Sequence, residues 1–320
     1  MPNYQGVWDI TTQFQYAAEW NLDNPNPSIA LFAGGNGNLN VIEKIIMGTS
    51  GDATDFGDLT SGGEIPAACG STTRGVWLGG ERGSASNIID FVTFASAGNA
   101  SDFGDLSAAT RLNAAHSSAT RGVVGGGIVS SRTDTIDYIT IASEGNASDF
   151  GNLLEAKNDQ SSTSSATRGL FAGGGNGSVN LDVIEYITIG STGNGSDFGN
   201  LLAGTTNYPA GASSNTRALF AGGNAGGSGR QNVIQYVTIA STGNATDFGD
   251  STLARRGDGC GTSNQTRGVF MAGYANSPGA YTTTIDYITI ASTGNAVDFG
   301  DMSVASGSGT VLSNGHGGLS

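Results

Sequence analysis

The chain has 320 residues, with 53 glycines, six prolines, 13 Lys or Arg against 27 Asp or Glu, and a formal net charge of −14. That glycine content excludes a long-helix protein, since each interior helical glycine costs about 1 kcal/mol relative to alanine. Six prolines without a three-residue glycine period exclude collagen, and 37% hydrophobic residues argue against wholesale disorder. The acidic balance excludes a nucleic-acid binder, which needs a basic stripe, and no apolar run approaches the ~20 residues of a spanning helix.

Residues 1–27 stand apart from the rest of the chain. The start has neither a basic nor an apolar signal region, so no secretory signal is expected. Val7, Ile10, Phe14 and Ala17 fall on one face of a short helix. Trp8, Phe14, Tyr16 and Trp20 are candidate anchors for docking onto a larger assembly, because aromatic side chains dominate protein interfaces. The alternative is a cap folded back onto the repeats.

From residue 28 onward the chain repeats. Asp-Phe-Gly occurs six times, with phenylalanines at 56, 103, 150, 198, 248 and 299. Around each lies the same order of segments: Thr-Arg and an apolar strand ending in double glycine, then Ile-Asp-Tyr-Ile-Thr-Ile or its like, then Gly-Asn-x-x-Asp-Phe-Gly. A stretch rich in Ser, Ala and Gly leads into the next unit. Four short segments per unit, each bounded by turn residues, give the strand spacing of an all-β protein. Strands apolar on both faces need cover on both sides, which a ring of four-stranded sheets supplies. The expectation is an all-β, six-bladed propeller over residues 28–320. The first unit lacks its first strand, and residues 305–315 match that strand, so the C-terminal strand is expected to close blade one and remove an exposed edge.

The unit resembles the kelch repeat. The resemblance rests on the recurring arginine (Arg74, Arg121, Arg168, Arg217, Arg267), the double glycines such as Gly173-Gly174, and the third-strand tyrosines Tyr138, Tyr186, Tyr236 and Tyr287. Phenylalanine stands where that family carries tryptophan. The resemblance implies a kelch-like propeller fold, and kelch propellers serve many functions.

The distance from the arginine position to the tyrosine position grows from 15 (Ile29 to Lys44) to 20 (Arg267 to Tyr287). In a four-stranded meander this variation falls on one face, in the loops 36–40, 81–86, 128–133, 176–180, 224–230 and 274–281. Binding residues concentrate on such loops, so Arg82, Tyr208, Arg230, Tyr274 and Tyr281 are the candidate ligand-binding residues. The repeated elements read as structure. Five equivalent arginines suit scaffold bonds to a repeat Asp or to strand carbonyls. The Asp-Phe-Gly phenylalanines suit packing between blades, with the Asp capping a turn. His116 and His316 lack the flanking ligands of a zinc site, and Cys69 and Cys260 suit small buried residues. No catalytic residue, metal or cofactor is expected.

The N-terminal segment together with the glycine-rich repeats is similar to virion proteins, particularly tail-fibre or appendage proteins, of marine phages. That resemblance implies a non-enzymatic virion component in several copies per particle. It would dock to other virion proteins through residues 1–27 and bind a host-surface receptor, a glycan or protein, through the variable loops, without inserting into a membrane. A structural or decoration protein and a glycan-degrading enzyme are the alternatives.

Overall fold

The computed structural model describes residues 28–319 except 65, 203–206, 227–228, 257–259 and 277–278. The expected docking anchors Trp8, Phe14, Tyr16 and Trp20 lie outside the described residues.

Six four-stranded antiparallel sheets form a propeller. Blade two shows the pattern: an inner strand Ala67–Gly70, a second strand Arg74–Leu78, a third strand Ser86–Thr93 and an outer strand Ser101–Thr110. Blades three to six repeat this order from the inner strands Ala114–Ser117, Ser161–Ser164, Ala210–Ser213 and Gly261–Ser263. Blade one is completed from the other end of the chain. Gly309–Ser313 becomes its inner strand, pairing with Ile29–Gly34 in the register Ala30↔Ser313 to Gly34↔Gly309. The expected closure is therefore present, and the edge that Ile29–Gly34 would expose is covered.

The core is divided among the six blade-to-blade interfaces. Between blades three and four, Val123, Ile136 and Phe150 pack against Phe171, Ile187 and Ile189. Five further clusters fill the other interfaces in the same way. All six Asp-Phe-Gly phenylalanines are buried within them, and truncating one to alanine would cost about 3–5 kcal/mol.

Polar contacts repeat with the same period. Each recurring arginine donates to a backbone carbonyl of the next blade: Arg121 to Ile189 at 2.8 Å, Arg168 to Ile239 at 2.7 Å, Arg217 to Ile290 at 2.8 Å. Arg74 and Arg267 do the same to Ile141 and Met47. Their guanidiniums also lie 4.4–4.8 Å from the centre of the third-strand aromatic ring. The carbonyl of the residue just past the third strand, not a repeat aspartate, is thus the shared partner. Arg74 adds a Glu144 contact at 3.3 Å. Blade one has Ile29 at this position, so its interface with blade two has no such bridge.

Five Gly-Asn loops and the equivalent Gly51-Asp52 loop line one end of the ring. The glycine N–H donates to the preceding blade's Asp-Phe-Gly phenylalanine carbonyl, as Gly98 does to Phe56 and Gly145 to Phe103. The side-chain oxygen of Asn99, Asn146, Asn194, Asn244 or Asn295 then accepts the preceding outer strand's N–H at 3.0–3.1 Å. Asp52 takes the same part at the last interface. Here the sequence expectation needs correcting, because the Asp of Asp-Phe-Gly is exposed in every repeat, and asparagine provides the cap. The Asp-Phe-Gly glycine is required by close approach. Gly57 has φ +155, and a Cβ there would collide with the Gly98 carbonyl.

Candidate binding site at the channel mouth

The six inner strands enclose a central cavity of about 90 Å³. Its two ends are built differently. At the end shared with the Gly-Asn loops, serines form a belt. Ser117 Oγ donates to the Gly70 carbonyl, Ser164 to Ser117, Ser213 to Ser164, Ser263 to Ser213 and Ser313 to Ser263, at 2.5–2.8 Å. Gly70 has no hydroxyl to bond the Ser313 carbonyl, so the belt is interrupted there, and His316 packs beside Gly70 and Ser117. Its Nδ1 accepts from the Gly318 N–H at 3.1 Å, so the neutral ring carries its proton on Nε2 and donates it to the Gly70 carbonyl at 3.0 Å. The short turn Gly317–Leu319 then lies across this end against the inner strands of blades three, four and five. A Cβ on Gly318 would run into the Ser117 carbonyl.

Burial holds His316 neutral, pushing its pKa down to about 4 against the bond to Gly70. His116 lies in the inner strand of blade three and packs on Phe171 with ring centroids 4.8 Å apart. Burial, and then the neighbouring His316, push its pKa down to about 3. The two histidines are thus parts of an interface and a plug. Cys69 and Cys260 are buried and share no disulfide, Cys260 donates to the Gly309 carbonyl at 3.2 Å, and burial raises Cys69 to about 12.

At the other end, the chain enters four of the inner strands through one residue in the left-handed region. Leu112 (φ 60°), Asp159 (61°), Tyr208 (59°) and Ser308 (59°) occupy equivalent positions, and none is glycine. Each costs about 1 kcal/mol or more relative to a glycine there. Their equivalents Ile65 and Asp258 lie outside the described residues. Backbone bonds link neighbours around the mouth, from Asp159 N–H to Leu112 and from Tyr208 N–H to Asp159. The connections beside these positions pair with the starts of the variable loops, as in Asn158↔Gly175 and Asn207↔Asn224. The variable loops therefore radiate from the channel mouth.

Asp159 is a carboxylate at the rim. Burial pushes its carboxyl up to about 6, against hydrogen bonds from Tyr208 and Asn158 and the charges of Arg132 and Arg256, which pull it down. Asn158 donates to Oδ2 at 2.7 Å and accepts from Arg132 at 2.6 Å.

Four of the five sequence candidates meet in the sector of blades five and six. Arg256 lies 4.9 Å from the Tyr208 ring centre and 5.9 Å from that of Tyr274. Arg230 covers the Tyr274 ring at 4.3 Å, and Tyr281 meets Tyr274 edge-on at 5.0 Å. Arg230 is further held by Asn276 at 3.0 Å, and Tyr281 by Asn36 at 2.7 Å. Arg256 completes this ladder and is a residue that sequence reasoning missed. Its signal was the Arg255-Arg256 pair, in a chain with few cations. Arg82 is the exception. It forms an ion pair with Asp90 at 2.7 Å, with side-chain exposures of 8% and 0%. Gly63 makes room for it, since a Cβ there would meet Arg82 Cγ at 3.1 Å. Arg82 therefore joins blades one and two rather than presenting itself to a ligand.

The opposite sector is closed by its own charges. Arg111 pairs with Glu81 at 2.5 Å, and Glu64 accepts from the Gly37 N–H at 2.9 Å. No helix among the described residues is long and apolar enough to cross a membrane. Compared with protein-family models and with curated proteins, the chain finds no match.

Proposed function

We propose that the propeller is a non-enzymatic binding protein that takes a polar ligand, a glycan of a host cell surface, at the channel mouth of its variable-loop face. The observation that carries this is the ladder Tyr208–Arg256–Tyr274–Arg230, packed beside Asp159 where the chain holds non-glycine residues in a costly backbone conformation. Strain of that kind persists where the surroundings over-determine it and is found at ligand sites. Arg230 already covers the Tyr274 ring, so recognition relies on hydrogen bonds from guanidinium, phenol and carboxyl groups more than on sugar stacking. The resemblance to phage appendage proteins supports a binder carried on a virion, in several copies, with residues 1–27 as the link to other virion proteins.

The test applies the full-length labelled chain to an array of bacterial surface glycans and to candidate host cells. Tyr274→Ala with Tyr281→Ala removes the support of both arginines and is expected to weaken binding at least tenfold, about 1.4 kcal/mol, with the melting temperature nearly unchanged. Equal binding by the double variant would sink the proposal. Release of reducing ends from the bound glycan would favour the enzymatic alternative.

A further inference from the structure

A buried acceptor recurs in the third strand of every blade: Glu43, Asp90, Asp137, Glu185, Gln235 and Asp286, each at most 6% exposed. Each accepts a hydrogen bond from the end of the preceding blade, such as Ser107 to Asp137, Leu154 to Glu185 and Leu202 to Gln235. Five of the six are carboxylates, and a buried carboxylate is costly unless a cation compensates it.

The chain supplies that compensation at alternate interfaces. Asp90 has Arg82 at 2.7 Å, Glu185 has Lys157 at 2.5 Å, and Asp286 has Arg255 at 2.9 Å. At a fourth interface the acceptor is the neutral Gln235. Lys157 and Arg255 hold the same place in their repeats, because their carbonyls accept from the equivalent glycines Gly127 and Gly223. By the same criterion, with Gly80 donating to its carbonyl, the equivalent residue between blades two and three is Thr110.

Thr110 is too short to bring a charge to Asp137, and a cavity of about 40 Å³ occupies that interface instead. Its walls include Asp137, Thr110, Asn113, Thr133 and Thr135. Asp137 Oδ2 accepts from both Ser107 N and Ser107 Oγ, at 3.0 and 2.6 Å. Its Oδ1 is buried without a hydrogen-bond partner, and so are both side-chain polar atoms of Asn113. Glu43, at the closing interface, has no oxygen that is both buried and unpartnered.

We propose that this cavity binds a monovalent alkali cation on Asp137, in the place that Lys157 and Arg255 fill at their own interfaces. One carboxylate with neutral amide and hydroxyl oxygens suits a singly charged hard ion. Divalent sites gather more carboxylates, and no group of three His, Cys, Asp or Glu side chains able to hold a metal is found among the described residues.

The test is a set of melting curves of the full chain in sodium chloride, potassium chloride and choline chloride at equal ionic strength. The expected result is a saturable rise of about 2 °C or more in one alkali salt over choline. Asp137→Asn should abolish that difference. Thr110→Lys, which brings its own ammonium, should abolish it as well while melting in choline at least as high as the wild type does in the favoured salt. Should Thr110→Lys fail to fold, crystals soaked in thallium(I) decide, with an anomalous peak expected beside Asp137 Oδ1. Identical melting in all three salts, a difference that survives Asp137→Asn, or no thallium peak there would each overturn the proposal.

Discussion

The two ends of the propeller channel are made from the same six repeats and have opposite characters. At the Gly-Asn end, equivalent residues perform equivalent tasks. Asparagine caps an outer strand, glycine lies on glycine, and serine bonds to the next carbonyl. At the mouth, equivalent positions hold Leu112, Asp159, Tyr208 and Ser308, which differ in size, charge and hydrogen-bonding capacity. Repetition marks where the ring must fit itself, because one geometry has to serve six times. Variety marks where the ring is free of that demand. The difference teaches that a side chain repeated around a ring is evidence for architecture, and that departures from the repeat are the place to look for recognition.

The largest expected effect tests the first half of that contrast. Gly151 has φ +147 and abuts the Gly193 carbonyl of the next blade. Gly151→Ala should cost about 3 kcal/mol or more in denaturant unfolding. Gly37 on the variable face has φ +86 and nothing within 4 Å of a Cβ, so Gly37→Ala should cost about 1 kcal/mol. Similar losses for both would erase the distinction between the ends.

Acid comes next. The pKa values of His116 and His316 fall from 6.5 to about 3 and about 4 on folding. The unfolded chain therefore binds more protons below pH 6.5, and stability is lost as pH falls from 6.5 through about 4 for His316 and about 3 for His116. His316→Gln should flatten that loss in melting curves taken across the range. An unchanged pH profile would mean that the plug histidine does not report on folding.

Arginines at the two locations should differ more modestly. Arg168→Met removes a charged bond to the carbonyl of the buried Ile239 and should cost about 2 kcal/mol. Arg230→Met, on the loop face, should fall within about 0.5 kcal/mol of the wild type. The smallest effect is expected at the mouth. Asp159 has its pKa raised from 3.8 to about 6, so its contribution is present below pH 4 and is lost as pH rises through 6. Asp159→Asn should raise the melting temperature slightly at pH 7.5 and leave it unchanged at pH 4.

Much of this architecture is legible in the residues themselves. Six Asp-Phe-Gly units give the blades, the missing first strand gives the closure, and five arginines in phase point to a scaffold role, with a repeat Asp and a backbone carbonyl both open as partners. Loop lengths identify the variable face. Other features depend on distances between units that no single repeat displays. Arg82 has the composition of a loop cation, and only the absent side chain of Gly63 turns it inward. The left-handed mouth residues carry no glycine, so they leave no turn signal. The acid inside Ile-Asp-Tyr-Ile did leave one, since a carboxylate in a strand covered on both faces must find a partner. The repeat phase puts His316 at or just after the closing inner strand, where it is found, but the turn after it belongs to no repeat and cannot be placed by periodicity.

The closure of blade one has a consequence for how the ring comes into being. Residue 313 pairs with residue 30, so one blade cannot be completed by neighbouring chain, whatever the other five have done. The same short stretch then brings His316 against Gly70 and Ser117 and lays Gly317–Leu319 across the channel. Edge protection and the channel floor thus both depend on residues 309–319: without them the ring is an open arc, and with them it is a cup.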